Sequence, residues 1–216
     1  MPQAFSQASV LATKLAVLTG LVLAVGAGTL ARLRMQPAAA VGEPVDQPIR
    51  FSHAHHVGDI GIDCRFCHAT VETSAFAGMP STQLCLGCHS QLFVNAPELA
   101  PLRQSLRQHR PLHWNRVHDL PDFVYFDHSI HVGKGVACEE CHGRVDRMPM
   151  MQREASLDMQ WCLACHRDAA RHLRPRGQVF AMQSAAAPSD AEAQRLAREN
   201  RLLDQRRLTD CSTCHR

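Results

Sequence analysis

The sequence predicts a chain that is mostly coil with short helices. It adds one long apolar helix at the amino end and a core supplied by something other than its own side chains. Three observations predict this. All ten cysteines fall in five copies of Cys-x-x-Cys-His, at 64–68, 85–89, 138–142, 162–166 and 211–215. Large aromatic residues are few for 216 residues, with eight Phe, two Trp and one Tyr. The stretch Leu15–Ala31 contains no charged residue and is bounded by Lys14 and by Arg32 and Arg34.

Cys-x-x-Cys-His is the attachment signature of a c-type haem. The two thiols form thioether bonds to the haem vinyl groups, and the following His ligates the iron. The motifs therefore assign Cys64, Cys67 and His68 to a first site and Cys85, Cys88 and His89 to a second. Cys138, Cys141 and His142 make the third, Cys162, Cys165 and His166 the fourth, and Cys211, Cys214 and His215 the fifth. Zinc is the competing reading of paired cysteines. Zinc ribbons need no His after each pair, and five such placements arise by chance about once in a million. A fifth pair would also lack a partner pair. Disulfides three residues apart are strained. The expectation is five covalent haem c and a multihaem cytochrome c fold packed around them. The apoprotein is not expected to fold, as for small metallodomains.

The formal charge of +3 is that of the bare chain. Ten propionates set against five ferric centres take it to about −2, or about −7 when reduced. That excludes a nucleic-acid binder despite the basic sequence pI. Of the 23 basic residues all but Lys14 and Lys134 are Arg. Arginine is the better bidentate partner of carboxylates, so some are expected to clamp propionates; a GC-rich genome explains the bias equally well.

As a helix, Leu15–Ala31 spans about 25 Å, the short end of what crosses a bilayer. Residues 1–35 read as an uncleaved membrane anchor, with a signal peptide cleaved near Ala38-Ala39-Ala40 as the alternative. Residues 36–49, rich in Pro, read as a linker. Residues 50–216 are the haem domain. Charges flanking the helix do not orient it; covalent haem c is assembled outside the bacterial cytoplasmic membrane, which places the haem domain on the periplasmic side.

The haem domain contains a repeat. Phe51-Ser-His53-Ala-His55-His56-Val-Gly58 runs into Cys64, and Phe126-Asp-His128-Ser-Ile-His131-Val-Gly133 runs into Cys138. A second motif follows each, giving dihaem units at about 51–89 and 126–166 and a fifth site at 211–215. Nine His remain after the five proximal ones: 53, 55, 56, 109, 113, 118, 128, 131 and 172. Two His three apart lie on one face of a helical turn, so His53, His56, His128 and His131 are expected as distal iron ligands, with Phe51 and Phe126 on porphyrin faces. His55 is the spare of its cluster and is open to a swap with its neighbours. His118 is the candidate for the fifth iron, ahead of His113 and His172. Met79 and Met148 are the thioether alternatives. Near the carboxyl end, Ser189 and Glu192 form a capping box for an amphipathic helix running to about Leu208, with Leu196 and Leu203 on its buried face. The fifth site follows it, near the surface, as a candidate exchange point for electrons.

The chain resembles the pentahaem cytochrome subunit of bacterial alternative complex III. The strings that carry the resemblance are the amino-terminal apolar helix, Phe51-Ser-His-Ala-His-His-Val-Gly-Asp-Ile-Gly-Ile-Asp-Cys64, Ala77-Gly-Met-Pro-Ser81, Arg116-Val-His-Asp-Leu-Pro-Asp-Phe-Val-Tyr-Phe126 and Cys141-His-Gly-Arg-Val-Asp146. The resemblance implies an electron-transfer subunit with no substrate chemistry of its own. Its implied partners are an iron–sulfur subunit, polytopic quinol-binding subunits and a periplasmic acceptor, either a cytochrome c or an oxidase. Similar Phe-x-His-x-x-His cytochromes imply that His53 and His128 serve the haems that follow them, and His56 and His131 other haems. Two rivals stand beside this reading. A small membrane-anchored multihaem quinol dehydrogenase usually has four haems. A pentahaem reductase needs an open iron, and no Cys-x-x-Cys-Lys is present.

Overall fold

A computed structural model describes residues 6–34, 40–182 and 186–215. The chain divides into two compact units, one ending at Ala38 and one beginning at Ala39. Ala38 and Ala39 of the candidate cleavage site, Gln36 and Pro37 of the expected linker, and Arg216 lie outside the described residues.

The first unit is helix α1, Gln7–Arg34. Its mean hydropathy reaches 2.0, and it is long and apolar enough to cross a membrane. Twenty-eight residues rise about 42 Å, so the helix outruns the apolar stretch at both ends. Thr13 and Thr29 return their hydroxyls to carbonyls of Ser9 and Val25, at 2.9 Å each.

The second unit is short helices joined by coil, with no strand among the described residues. Isolated bridges tie Val41 to Arg153 and Pro44 to Gln152. Residues 41–45 of the expected linker therefore run along 151–153, and Gln47 donates to the Asn115 carbonyl at 2.9 Å.

Every haem motif opens or occupies a helical turn: α2 Cys64–Cys67, α3 Thr82–His89, then, beyond α4 Ala100–Gln108 and α5 His128–Gly133, α6 Cys138–His142 and α7 Met159–Arg167. After α8 Asp190–Glu199 and α9 Gln205–Leu208 comes α10 Cys211–Cys214. The starts are written in the sequence. Asp63, Ser81, Asp158 and Asp210 each precede a motif and accept a backbone N–H of the first turn. Helix α6 has Ala137 there instead, and Cys138 N–H donates to the Val179 carbonyl at 3.1 Å. A helical turn puts cysteines three apart on one face with the His one step on.

Helix α8 departs from expectation. Ser189 caps it as predicted, accepting from Glu192 N–H at 3.3 Å. The Glu192 carboxylate, however, turns to Arg195 at 3.1 Å. The helix stops at Glu199, well short of Leu208. Arg201 sits at φ +48°, a left-handed turn that ends the helix. Lys134 Nζ donates to the carbonyls of Asn200 and Arg201 at 2.8 and 3.1 Å, placing a cation on the negative helix end. Leu196 is buried, but Leu203, beyond the break, is 44% exposed.

The side-chain core is small. The largest fully buried side chains are Leu102, Leu173, Leu196 and Val179. None of the described Phe, Trp or Tyr residues is fully buried, although large aromatics ordinarily dominate a core. Phe66, Phe76, Phe93 and Phe123 are each more than half exposed; Phe66 lies inside the first motif, and Phe93 and Phe123 lie against His89 and His215. This is the multihaem cytochrome fold, short helices and coil around a small side-chain core.

Candidate functional site

The repeat sets the geometry of the site. Phe51 stacks on His56, with ring centroids 4.4 Å apart and planes at 25°, and meets His53 edge-on at 4.9 Å and 86°. Phe126 does the same to His131, at 4.5 Å and 29°, and to His128, at 4.8 Å and 88°. Each Phe was expected on a porphyrin face. It clamps the two histidines of its own repeat, and so fixes both ring planes.

The clamped rings face proximal histidines. His56 and His89 have centroids 6.2 Å apart, His131 and His166 6.2 Å, and His128 and His142 6.3 Å with planes within 10°. Two metal–nitrogen bonds of about 2 Å plus the half-widths of two imidazoles come to about 6.3 Å. His53 lies within electrostatic reach of His68 and His56. His118 lies edge-on to His142 at 4.3 Å, too near for a metal between them. Its Nε2 is buried without a partner.

The proton positions fit a metal as well. Nδ1 of His68 meets the Gly78 carbonyl at 2.7 Å, that of His89 the Leu92 carbonyl at 3.2 Å, that of His166 the Leu208 carbonyl at 2.7 Å and that of His215 the Phe123 carbonyl at 3.1 Å. On the other side, His56 Nδ1 meets the Ser52 carbonyl at 2.9 Å, His128 the Ala75 carbonyl at 2.7 Å and His131 the Asp127 carbonyl at 2.7 Å. A carbonyl only accepts, so each Nδ1 carries the proton and each Nε2 keeps its lone pair, as in metal-ligating histidines.

A ligand must also be neutral. Burial, reinforced by His68 and His56, pushes His53 down to about 4. Burial, with Arg153 and His128, does the same to His118, and takes His142 to about 3 with His118 and His128 adding to it. Burial also lowers His131. The residues present therefore fit covalent haem with two imidazoles on an iron.

The other candidates are used elsewhere. His55 is exposed and pairs with Asp59 at 3.3 Å. His113 is exposed. His172 bonds Glu140 at 3.1 Å; that bond chiefly raises its pKa and lowers that of Glu140. Met79 is 60% exposed, whereas Met148 is buried. Arg65, Arg116, Arg144, Arg171, Arg174 and Arg195 pair with carboxylates of the chain itself.

Sequence reasoning missed two features. One is the set of carbonyls that orient the rings. The other is a polar cavity of about 500 Å³ beside the third site, lined by Glu139, Glu140, Arg144 and Arg174 among others. Glu139 and Glu140 occupy the two variable positions of the third motif and share Arg174. An acidic pair inside a motif was the available signal.

The repeated motifs and the facing rings make the chain similar to multihaem cytochromes c. Residues 124–216, the second repeat and the fifth site, match the family model described as cytochrome c7 and related cytochrome c. A curated relative is the menaquinone reductase, multiheme cytochrome c subunit, of Nitratidesulfovibrio vulgaris (strain Hildenborough). It is 36% identical over 126 residues, which are 58% of this chain and 53% of that protein. The chain thus spans about half the length of the curated relative it matches.

Proposed function

We propose that this chain is an electron-transfer subunit that holds five c-type haems and passes electrons between a quinone-reactive membrane complex and a periplasmic acceptor. The observation that carries the reading is the set of facing imidazoles at 6.2–6.3 Å, with a backbone carbonyl on Nδ1 of His56, His89, His128, His131 and His166 that frees Nε2. A bound haem supplies one-electron redox chemistry. The five cysteine pairs would attach it, and paired histidines would hold its iron. His68, His89, His142, His166 and His215 are the proximal ligands. His53, His56, His128 and His131 close the first, second, third and fourth sites. His118, buried and neutral with Nε2 unpartnered, is the fifth candidate, although it lies beside His142 and not His215. Two fixed ligands leave no position for a substrate and little to rearrange on electron gain, so the chain does no substrate chemistry of its own.

The resemblance to the alternative complex III subunit supports quinol oxidation, with an iron–sulfur subunit and polytopic quinol-binding subunits as neighbours. Helix α1 supports an anchor in the bacterial cytoplasmic membrane, with 36–49 leading to a haem domain at 50–216 on the periplasmic side. The name of the relative favours a second direction, with electrons running towards menaquinone. Gentle purification from the native membrane tests both. Co-purified iron–sulfur and polytopic subunits, with haem reduction by added quinol, meet the first reading. Haems that stay oxidised with quinol but discharge to a quinone meet the second. A chain that comes away alone overturns the complex.

A further inference from the structure

The order of the sites in space is not their order in the sequence. Four contacts join them. The second and first sites share the turn that carries His53 and His56, both held by Phe51, with His56 facing His89 at 6.2 Å. The first and third are joined directly: Ala54 N–H donates to the Met148 carbonyl at 3.0 Å, and a Cβ on Gly58 would lie 2.3 Å from the Asp146 carbonyl oxygen. The same junction is bridged by His128 Nδ1 on the Ala75 carbonyl and by Ser129 N–H on the Ser74 carbonyl at 3.2 Å. The third and fourth share α5, whose His128 and His131 face His142 and His166. The fourth and fifth meet where His166 donates to the Leu208 carbonyl, three residues before Cys211.

The two ends are marked independently. Of the ten cysteines, the two that are exposed are Cys88 and Cys211. One belongs to the second site and one to the fifth. Beyond the second site the chain places α4, with Thr82 bonded to Ser105 at 2.6 Å, and no further haem motif. Beyond the fifth it places residues 123–125: Phe123 accepts from His215, and Tyr125 N–H donates to the Cys214 carbonyl at 2.8 Å.

We infer that the five sites form a single file in the order second, first, third, fourth, fifth, so that electrons are exchanged with partners at the second and fifth sites while the first is internal. Tunnelling falls steeply with distance, so in a single file each interior site is obligatory. Sequence order alone makes the first site a terminus; the packing of residues 54–59 on 145–148 makes it a junction between the two repeats. The inference rests on the five-haem relay reading above.

The test is the position of each iron in the holoprotein, or in its native complex, from anomalous scattering at the iron edge. The expected result is five irons whose four shortest separations join second to first, first to third, third to fourth and fourth to fifth. Five irons with two close neighbours at the second or the fifth site overturn the order and leave the relay intact. Fewer than five irons overturn the relay reading itself.

Discussion

The two repeats are nearly the same object at their histidine clamps and differ in what holds each clamp in place. Phe51 with His53 and His56, and Phe126 with His128 and His131, agree to 0.1 Å and within 4°. Their supports do not agree. The first repeat winds residues 54–59 into a wide turn packed on the 145–147 turn. The second winds 128–133 into an ordinary helix capped by Asp127, which accepts from Ser129 N–H at 2.8 Å. The second repeat anchors His128 on Ala75, a residue of the first repeat, whereas His53 Nδ1 is buried with no partner. The comparison teaches that the invariant part of the repeat is the pair of ring planes. Different backbones serve equally well, provided that two imidazoles are delivered one turn apart.

The largest effect is expected from deleting the invariant part. His56→Ala and His131→Ala each open one iron. Each is expected to convert one low-spin ferric EPR signal to high spin, to the same extent in both repeats. An unchanged spectrum in either variant removes that residue from the ligand set.

The supports distinguish the repeats next. Gly58 and Gly133 occupy the same position of the repeated His-Val-Gly. A Cβ on Gly58 would lie 2.3 Å from the Asp146 carbonyl oxygen, a backbone atom, while one on Gly133 meets nothing within 4 Å. Gly58→Ala is expected to destabilise the holoprotein by about 1–3 kcal/mol. Gly133→Ala is expected to be neutral or stabilising by up to about 1 kcal/mol, because Ala is the better helix former. Denaturant unfolding of the two variants side by side measures the difference, and equal costs would mean that the packing of 54–59 on 145–147 is wrong.

Phe51→Leu and Phe126→Leu sharpen the likeness. Each is expected to lose an aromatic contact of about 0.5–1.5 kcal/mol and to shift the g-values of a low-spin signal as the imidazole planes relax. A stability loss without any spectral shift would make each Phe simple filler.

The smallest effect belongs to the second repeat alone. The Glu140 bond raises His172 above its usual 6.5, so this group stabilises the fold fully below about 6.5 and loses that contribution as pH rises through the raised value. Glu140 is held below its usual 4.5, so its contribution is present above about 4.5 and lost as pH falls. The pair is therefore at its best between the two. Asp168 supports the charged His172 and Arg174 opposes it. The His172 side chain is 37% exposed, which keeps the effect small. His172→Gln is expected to remove a shallow fall in melting temperature above pH 6.5; an unaltered pH profile would show that the pair does not contribute.

What was legible in the sequence was short in range. A motif of five residues fixes its own turn, and an Asp or Ser ahead of it announces the start, so the haem sites and most helix starts could be read directly. The repeat supplied the four paired histidines. The ring anchors could not be read, because any residue provides a carbonyl. Gly78 is 10 residues from His68, Leu208 is 42 from His166 and Phe123 is 92 from His215. The end of α8 at Glu199 was hidden for a related reason. Its amphipathic pattern continues into Leu203, and only the left-handed turn at Arg201, with Lys134 arriving from elsewhere in the chain, shows where the helix stops. The spatial order of the sites depends on long-range contacts, Ala54 with Met148 and Gly58 with Asp146, that no motif announces.

The central claim is that every iron is closed on both faces, which makes the chain a relay and not a catalyst. Low-temperature EPR of the fully oxidised holoprotein, with haem counted by its pyridine haemochrome, tests it most directly. The account predicts five haems per chain and only low-spin ferric signals. A high-spin signal approaching one haem per chain would reveal an open iron, and would contradict it.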